Sequence, residues 1–323
     1  MRLLVLTALL LCALTGSAKI WQVNNSGKGL YDFTTLQAAH DGATAGDTVY
    51  LAPSPNSYGG ATITKRLIIF GVGYYLRENF PEYPHNLTSI YDGISFQSGS
   101  SGSVISGCYI VSYINIRTSE ITITRNNCSV SIGANDLSKI LIKNNRLLSL
   151  TSGGDRIFNS LISNNLIQFT GGSFSAQAVS SLIFSHNIIS GQTITLYNQT
   201  VYNNIYLSGS FTLVDCTPTN NIDASGSSSF LFGTSAGNKG GFTSSQVFVG
   251  PTGNSTDGQW RLKAGSPAIG AGATGEDCGI FGGNDPYVLS GLPPVPIIKK
   301  LFNTGVGNNT TKIKVTISVE SRN

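Results

Sequence analysis

The sequence predicts an all-β solenoid, a single-stranded parallel β-helix. Three observations between residues 100 and 225 predict it: a repeat near 20 residues, an Asn pair closing each repeat, and the lack of any helical stretch. The segments read ITITRNN, ILIKNNRLL, SLISNNLIQF, SLIFSHNIIS, TVYNNIYL and TPTNNID. Each is a short β-branched run ended by its pair. The second member of each pair is Asn127, Asn145, Asn165, Asn187, Asn204 and Asn221, at steps of 18, 20, 22, 17 and 17 residues. Gly107 extends the series upstream. A leucine-rich repeat would need a regular Leu frame with helical segments. An up-and-down barrel would turn about every 8–12 residues.

The Asn pair has a physical reason. Stacked coils lie about 4.8 Å apart, so an Asn at the same corner of every coil can bond to the next one. Asn also tolerates the left-handed backbone that a sharp corner demands. These six residues are therefore expected to form a structural ladder. The longer steps contain LTSGGDRIFN and TGGSFSAQAVS, which are expected to bulge from one side.

Residues 1–18 read as a secretory signal: Arg2, the apolar run Leu3–Leu14, then Gly16-Ser17-Ala18 before Lys19. The run is short for a membrane anchor, which needs roughly 20 apolar residues. Cys12 follows Leu10-Leu11, whereas a lipoprotein cut wants small residues there. The expected location is secreted, periplasmic or cell surface, with no transmembrane segment in the mature chain.

Without Arg2 the chain has 19 basic and 16 acidic residues, and charged residues are 11% of the whole. That balance is too mild for nucleic acid. Beyond Cys12 the cysteines are Cys108, Cys128, Cys216 and Cys278. Their long gaps and the scarcity of His argue against zinc. Cys108 and Cys128 are 20 residues apart and are expected to stack on adjacent coils. Two readings stay open for them: a disulfide, or two interior thiols.

The expected organisation has an N-terminal cap over residues 19–47, coils over about 48–250, a closing segment over 251–296 and a tail over 297–323. In the cap, Thr34 reads as the N-cap of a short helix with Gln37 at its third position. Leu36, Ala39 and Ala43 share one face. Strands follow at Thr48–Leu51, Ala61–Thr64 and Leu67–Gly73. In the tail, Lys312–Val319 alternates as a half-buried strand.

YDFTTLQAAHDGATAGDTVYLAP and TITKRLIIFGVG resemble the start of secreted bacterial right-handed parallel β-helix proteins of the pectin-lyase-like superfamily. LKAGSPAIGAG and the following DCGIFGGNDPYVLSGLPPVP are similar to the end of their repeat regions. The resemblance covers most of residues 19–296. It implies a right-handed helix with an N-terminal capping helix, and it says little about activity, since members include lyases, esterases, hydrolases and tailspikes.

The catalytic strings of those classes are missing. Asn-Thr-Asp, Asp-Asp and Gly-His-Gly do not occur, nor do the esterase strings. The acids between residues 100 and 225 are Glu120, Asp136, Asp155, Asp215 and Asp223. They fall at different places in the repeat, so no paired carboxylates or Ca²⁺ cluster forms by register. Arg125 and Lys143 precede their pairs and are expected to stack. With Asp155 they are the weak catalytic candidates. Arg125, Lys143, Arg146 and Arg156 are candidates for contact with an acidic glycan. Tyr74, Tyr75 and Tyr83 are candidates for stacking on sugar rings. His186 is expected to substitute within the corner ladder. No cofactor is implied, with Ca²⁺ entering only in a lyase. The favoured expectation is an exported, non-catalytic protein presenting a long face to a polysaccharide or cell-surface glycan. The alternatives are a divergent polysaccharide lyase or glycoside hydrolase, and a purely structural or adhesive rod.

Overall fold

The computed structural model describes residues 18–83, 85–153, 156–168, 171–228, 230–303, 305 and 313–320. The chain forms a right-handed parallel β-solenoid of about nine turns. One sheet, here sheet I, has nine parallel strands: Ile20–Val23, Thr48–Leu51, Ile68–Phe70, Val104–Ser106, Thr122–Thr124, Leu141–Lys143, Ser160–Ser163, Leu182–Ser185 and Thr200–Tyr202. Sheet II has ten strands, nine in its main path from Gly60–Ile63 to Ile222–Asp223 and one, Ile90–Tyr91, beside it. Each coil adds one strand to each sheet.

Alternation along each short strand decides what is inside. The register of sheet I aligns Val49, Ile69, Ile105, Ile123, Ile142, Ile162, Phe184 and Val201 in one column. All eight are buried. Burying each such side chain contributes roughly 1.5–3 kcal/mol. Their neighbours on either side point outward, so the outer face of sheet I carries the rows Thr122, Leu141, Leu161, Ile183, Thr200 and Thr124, Lys143, Ser163, Ser185, Tyr202.

A tight corner joins sheet I to sheet II. Arg125, Asn144, Asn164, His186, Asn203 and Asn220 occupy it with φ between 53° and 58°. The residue after each one carries the ladder. Asn145 donates its backbone N–H and its Nδ2 to Asn165 Oδ1, both at 3.0 Å. Asn165 does the same to Asn187 Oδ1 at 3.0 and 3.1 Å. The chain of bonds continues through Asn204 and Asn221 to Asn238.

Two corrections to the expected ladder follow. In the first coil Arg125 takes the left-handed corner, so the rung is Asn126 and not Asn127. Asn238 adds a rung that no Asn pair announces, because Gly237 stands at its corner. Cys108 sits one place after the Gly107 corner, and its N–H donates to Asn126 Oδ1. Cys128 lies two residues beyond Asn126, so the cysteines are not stacked in register. Both are free, buried thiols.

The cap helix is Leu36–Gly42, with Thr35 as N-cap where Thr34 was expected. The Thr35 hydroxyl accepts from Ala38 N, and Gln37 instead accepts from Thr62 N. Gly71 is required by a close approach: a Cβ there would stand 2.3 Å from Gly107 O. The long steps of the repeat do not simply bulge. Ser173–Ala176 pairs with Gln192–Tyr197, which pairs with Gly209–Val214, making a third face. Val315–Glu320 pairs antiparallel with Ile297–Asn303 as a hairpin, not along the solenoid. Residues 1–17 of the expected signal, which spans 1–18, lie outside the described residues. Within those residues, no helix is long and apolar enough to cross a membrane.

Candidate functional site

The closing segment runs back along the corner as a strap and shapes the outer face beside it. Residues 271–292 descend the coils in order. Asn220 Nδ2 donates to Ala271 O at 3.0 Å, and Asn203 Nδ2 to Glu276 Oε1 at 2.6 Å. Asn164 Nδ2 donates to the carbonyls of Ile280 and Gly282 at 3.0 and 2.9 Å. Asn144 Nδ2 donates to Asp285 Oδ1 at 3.0 Å, and Arg125 Nη1 to Leu292 O at 3.1 Å. The left-handed corner turns these first-position side chains outward. That is why the repeat carries a pair: one residue bonds within the wall, the other holds the strap.

Between the strap and the far edge of sheet I lies a groove with two parts that adjoin at Leu161. One part, about 440 Å³, is floored by Leu161, Ile183 and Thr200 and edged by Asn159 and Asn198. The other, about 310 Å³, is lined by Ser163, Ser185, His186 and Tyr202 on the solenoid and by Glu276 and Asp285 on the strap. Ile183 is 40% exposed, so the floor offers apolar surface to solvent.

The charged groups of the groove and its imidazole are already engaged. Hydrogen bonds from the Thr274 hydroxyl and backbone N–H and from Asn203 hold the Glu276 carboxyl down at about 2. Lys143 Nζ bonds Asp285 Oδ2 at 2.5 Å. Burial lowers the pKa of His186, and the neighbouring Glu276 charge opposes this only in part. Asn203 Nδ2 lies 3.1 Å from His186 Nε2. An amide nitrogen only donates, so Nε2 is the acceptor and the imidazole proton is on Nδ1. General acid–base work needs one carboxyl raised in pKa or a base with a free lone pair. Glu276 and His186 offer neither. Among the described residues, no three of His, Cys, Asp and Glu gather as metal ligands.

The expected site residues are scattered. Arg125 is only 7% exposed, beneath Leu292 of the strap. It stands at the corner position that Asn144 takes on the next coil, whereas Lys143 aligns with Thr124 and Ser163. The expected Arg125–Lys143 stack is therefore absent. Arg156 pairs with Asp136 at 2.5 Å, away from the groove, and Asp155 lies outside the described residues. Tyr74 is 2% exposed and shares a 2.8 Å hydrogen bond with Tyr287. Tyr83 is packed with Val72, Leu76 and Leu292. Neither ring is exposed at the surface. Tyr75 is half-buried, beneath Arg146, at the other side of the corner. His186 is not a ladder member; Asn187 is, and the imidazole faces the strap.

Glu276 and Asp285 were missed because they lie outside the repeat, and only the course of the strap brings them to the central coils. The outward row Leu141, Leu161, Ile183, Thr200 was legible as every second residue of successive repeats. Comparison with family models, with curated proteins and with solved structures finds no match for this chain.

Proposed function

We propose that the protein is an exported, non-catalytic glycan-binding solenoid that holds an uncharged polysaccharide in the groove on the outer face of sheet I. The observation that carries this reading is the groove itself. It is an open channel with an apolar floor at Leu161 and Ile183, hydroxyl and amide edges, and charged groups that already have partners. Sugar rings present apolar faces and a rim of hydroxyls, and such a channel complements both. Lys143 is neutralised by Asp285 and Glu276 stays ionised, so the groove does not favour the acidic glycan that the basic residues suggested from sequence.

The test uses the full chain against a panel of neutral and acidic polysaccharides, with binding and new reducing ends or unsaturated products followed in parallel. Retention by a neutral polymer without products is the expected result. Ile183→Glu places a charge on the exposed floor and should abolish retention while leaving the circular dichroism spectrum intact. Product formation, or binding that ignores Ile183→Glu, would overturn the reading.

A further inference from the structure

A second cavity lies on the other side of the corner, where sheet II begins. The first position of sheet II forms a column: Tyr109, Asn127, Arg146, Leu166, Ile188, Ile205 and Ile222. From Leu166 onward these side chains are buried against Val247 and against Ala268, Ala271 and Ile280 of the closing segment. In the earlier coils the column changes to Tyr, Asn and Arg; there Tyr109 and Asn127 line a cavity of about 240 Å³ together with Tyr74, Tyr75, Asn86 and Thr88, and Arg146 stands beside it, against Tyr75 and Asn127. The register does not change: in each coil this position follows the rung, as Arg146 follows Asn145 and Leu166 follows Asn165. With Arg125 at the corner and Asn126 in the ladder, Asn127 takes this position and faces the cavity.

Three features make this more than a gap. Tyr75 is held at φ 52°, ψ 31°, a left-handed conformation costly for a bulky side chain. Its carbonyl accepts from Ser290 Oγ at 3.1 Å, so the strap fixes it. Tyr75 OH accepts from Asn127 Nδ2 at 3.3 Å, and Asn127 Oδ1 accepts from Arg146 Nη1 at 3.2 Å. Arg146 lies 5.8 Å above the Tyr75 ring. Among the described residues, Lys139, Lys143 and Arg156 each pair with a carboxylate, and Arg146 pairs with none. Its Nε is buried without a partner.

We infer that this cavity binds one anionic sugar residue, with its ring against Tyr75 and Tyr109, its hydroxyls on Asn86, Thr88 and Asn127, and its carboxylate or sulfate on Arg146. Guanidinium matches either anion through paired N–H donors. The site is separate from the groove on sheet I and does not depend on it.

Saturation-transfer NMR on the full chain tests this, with glucuronic acid and N-acetylneuraminic acid as the carboxylate arm, glucose 6-sulfate as the sulfate arm and glucose as the neutral control. At least one anionic sugar should bind and glucose should not. Arg146→Gln should weaken that binding by about tenfold or more, as loss of a charge-assisted pair implies. Arg156→Gln and Ile183→Glu should leave it unchanged, and Arg146→Lys should restore only part of it. Equal signals from glucose and the anionic sugars, no signal from any of them, or indifference to Arg146→Gln in a folded variant would overturn the inference.

Discussion

Asn164 and Asn165 are neighbours that bond in opposite directions: Asn164 Nδ2 reaches out to the Ile280 and Gly282 carbonyls, and Asn165 Nδ2 reaches in to the Ile142 and Ser163 carbonyls. The two substitutions at this corner therefore have different consequences. Asn165→Ala strands the Asn145 amide and two buried carbonyls, and should cost about 2–4 kcal/mol. Asn164→Gly keeps the left-handed backbone and removes only the strap bonds. It should cost about 1 kcal/mol and raise hydrogen exchange in residues 268–285 while the coils stay protected. Equal exchange in both variants would show that strap and wall are not separately held.

The ladder register gives a second comparison. Asn126 accepts from Cys108 N and donates to Ile105 O, Thr124 O and Asn145 Oδ1. The Asn127 side chain bonds only the side chains of Tyr75 and Arg146 among the described residues. Chemical denaturation should find Asn126→Ala costlier than Asn127→Ala, by about 1–3 kcal/mol. The reverse order would place the rung on Asn127, as the spacing alone implied.

The repeat was legible because its cause is local: a corner that needs a left-handed residue, and a wall that needs an amide in every coil. The single-residue error at Asn127 has the same origin, since RNN and NN look alike until the conformation of Arg125 is known. Outward and inward faces followed from alternation, so Ile183 and Leu161 were readable as surface. Tyr74 and Tyr83 were misread because a Pro-containing excursion gives no sign that Tyr287 and Leu292, more than 200 residues later, will cover it. Glu276 and Asp285 escaped for the same reason: nothing in a residue's neighbours tells where a strap will lie.

The cysteines give a third prediction. Burial raises the thiols of Cys108 and Cys128 well above the ordinary range, and pushes Cys278 up to about 12. A thiol so raised is almost wholly protonated near neutral pH and is a poor nucleophile. Native protein at pH 8 should resist alkylation at Cys108, Cys128 and Cys278. Protein unfolded without reductant should take label at all three and at Cys216. A missing pair of labels on Cys108 and Cys128 after unfolding would establish the bridge instead.

Acid should release the strap before it unfolds the coils. Bonds from Thr274 and Asn203 depress Glu276 from 4.5 to about 2 when folded, so its contribution is fully present above about pH 4.5. It is lost as the pH falls through about 2. His186 acts in the same direction at higher pH, because burial lowers its folded pKa and the unfolded chain takes up its proton first. The two are separable. In Glu276→Gln the lower step, between about pH 4.5 and 2, should vanish from the pH profile of hydrogen exchange in residues 268–285. The upper step, from about pH 6.5 downward, should remain and should disappear only in His186→Asn, which keeps a corner residue suited to the left-handed backbone. If the strap's protection is flat from pH 7 to 3 in the wild-type protein, neither group couples it to the wall. The hydrogen bonds of Asn164 and Asn220 to its backbone would then suffice to hold it.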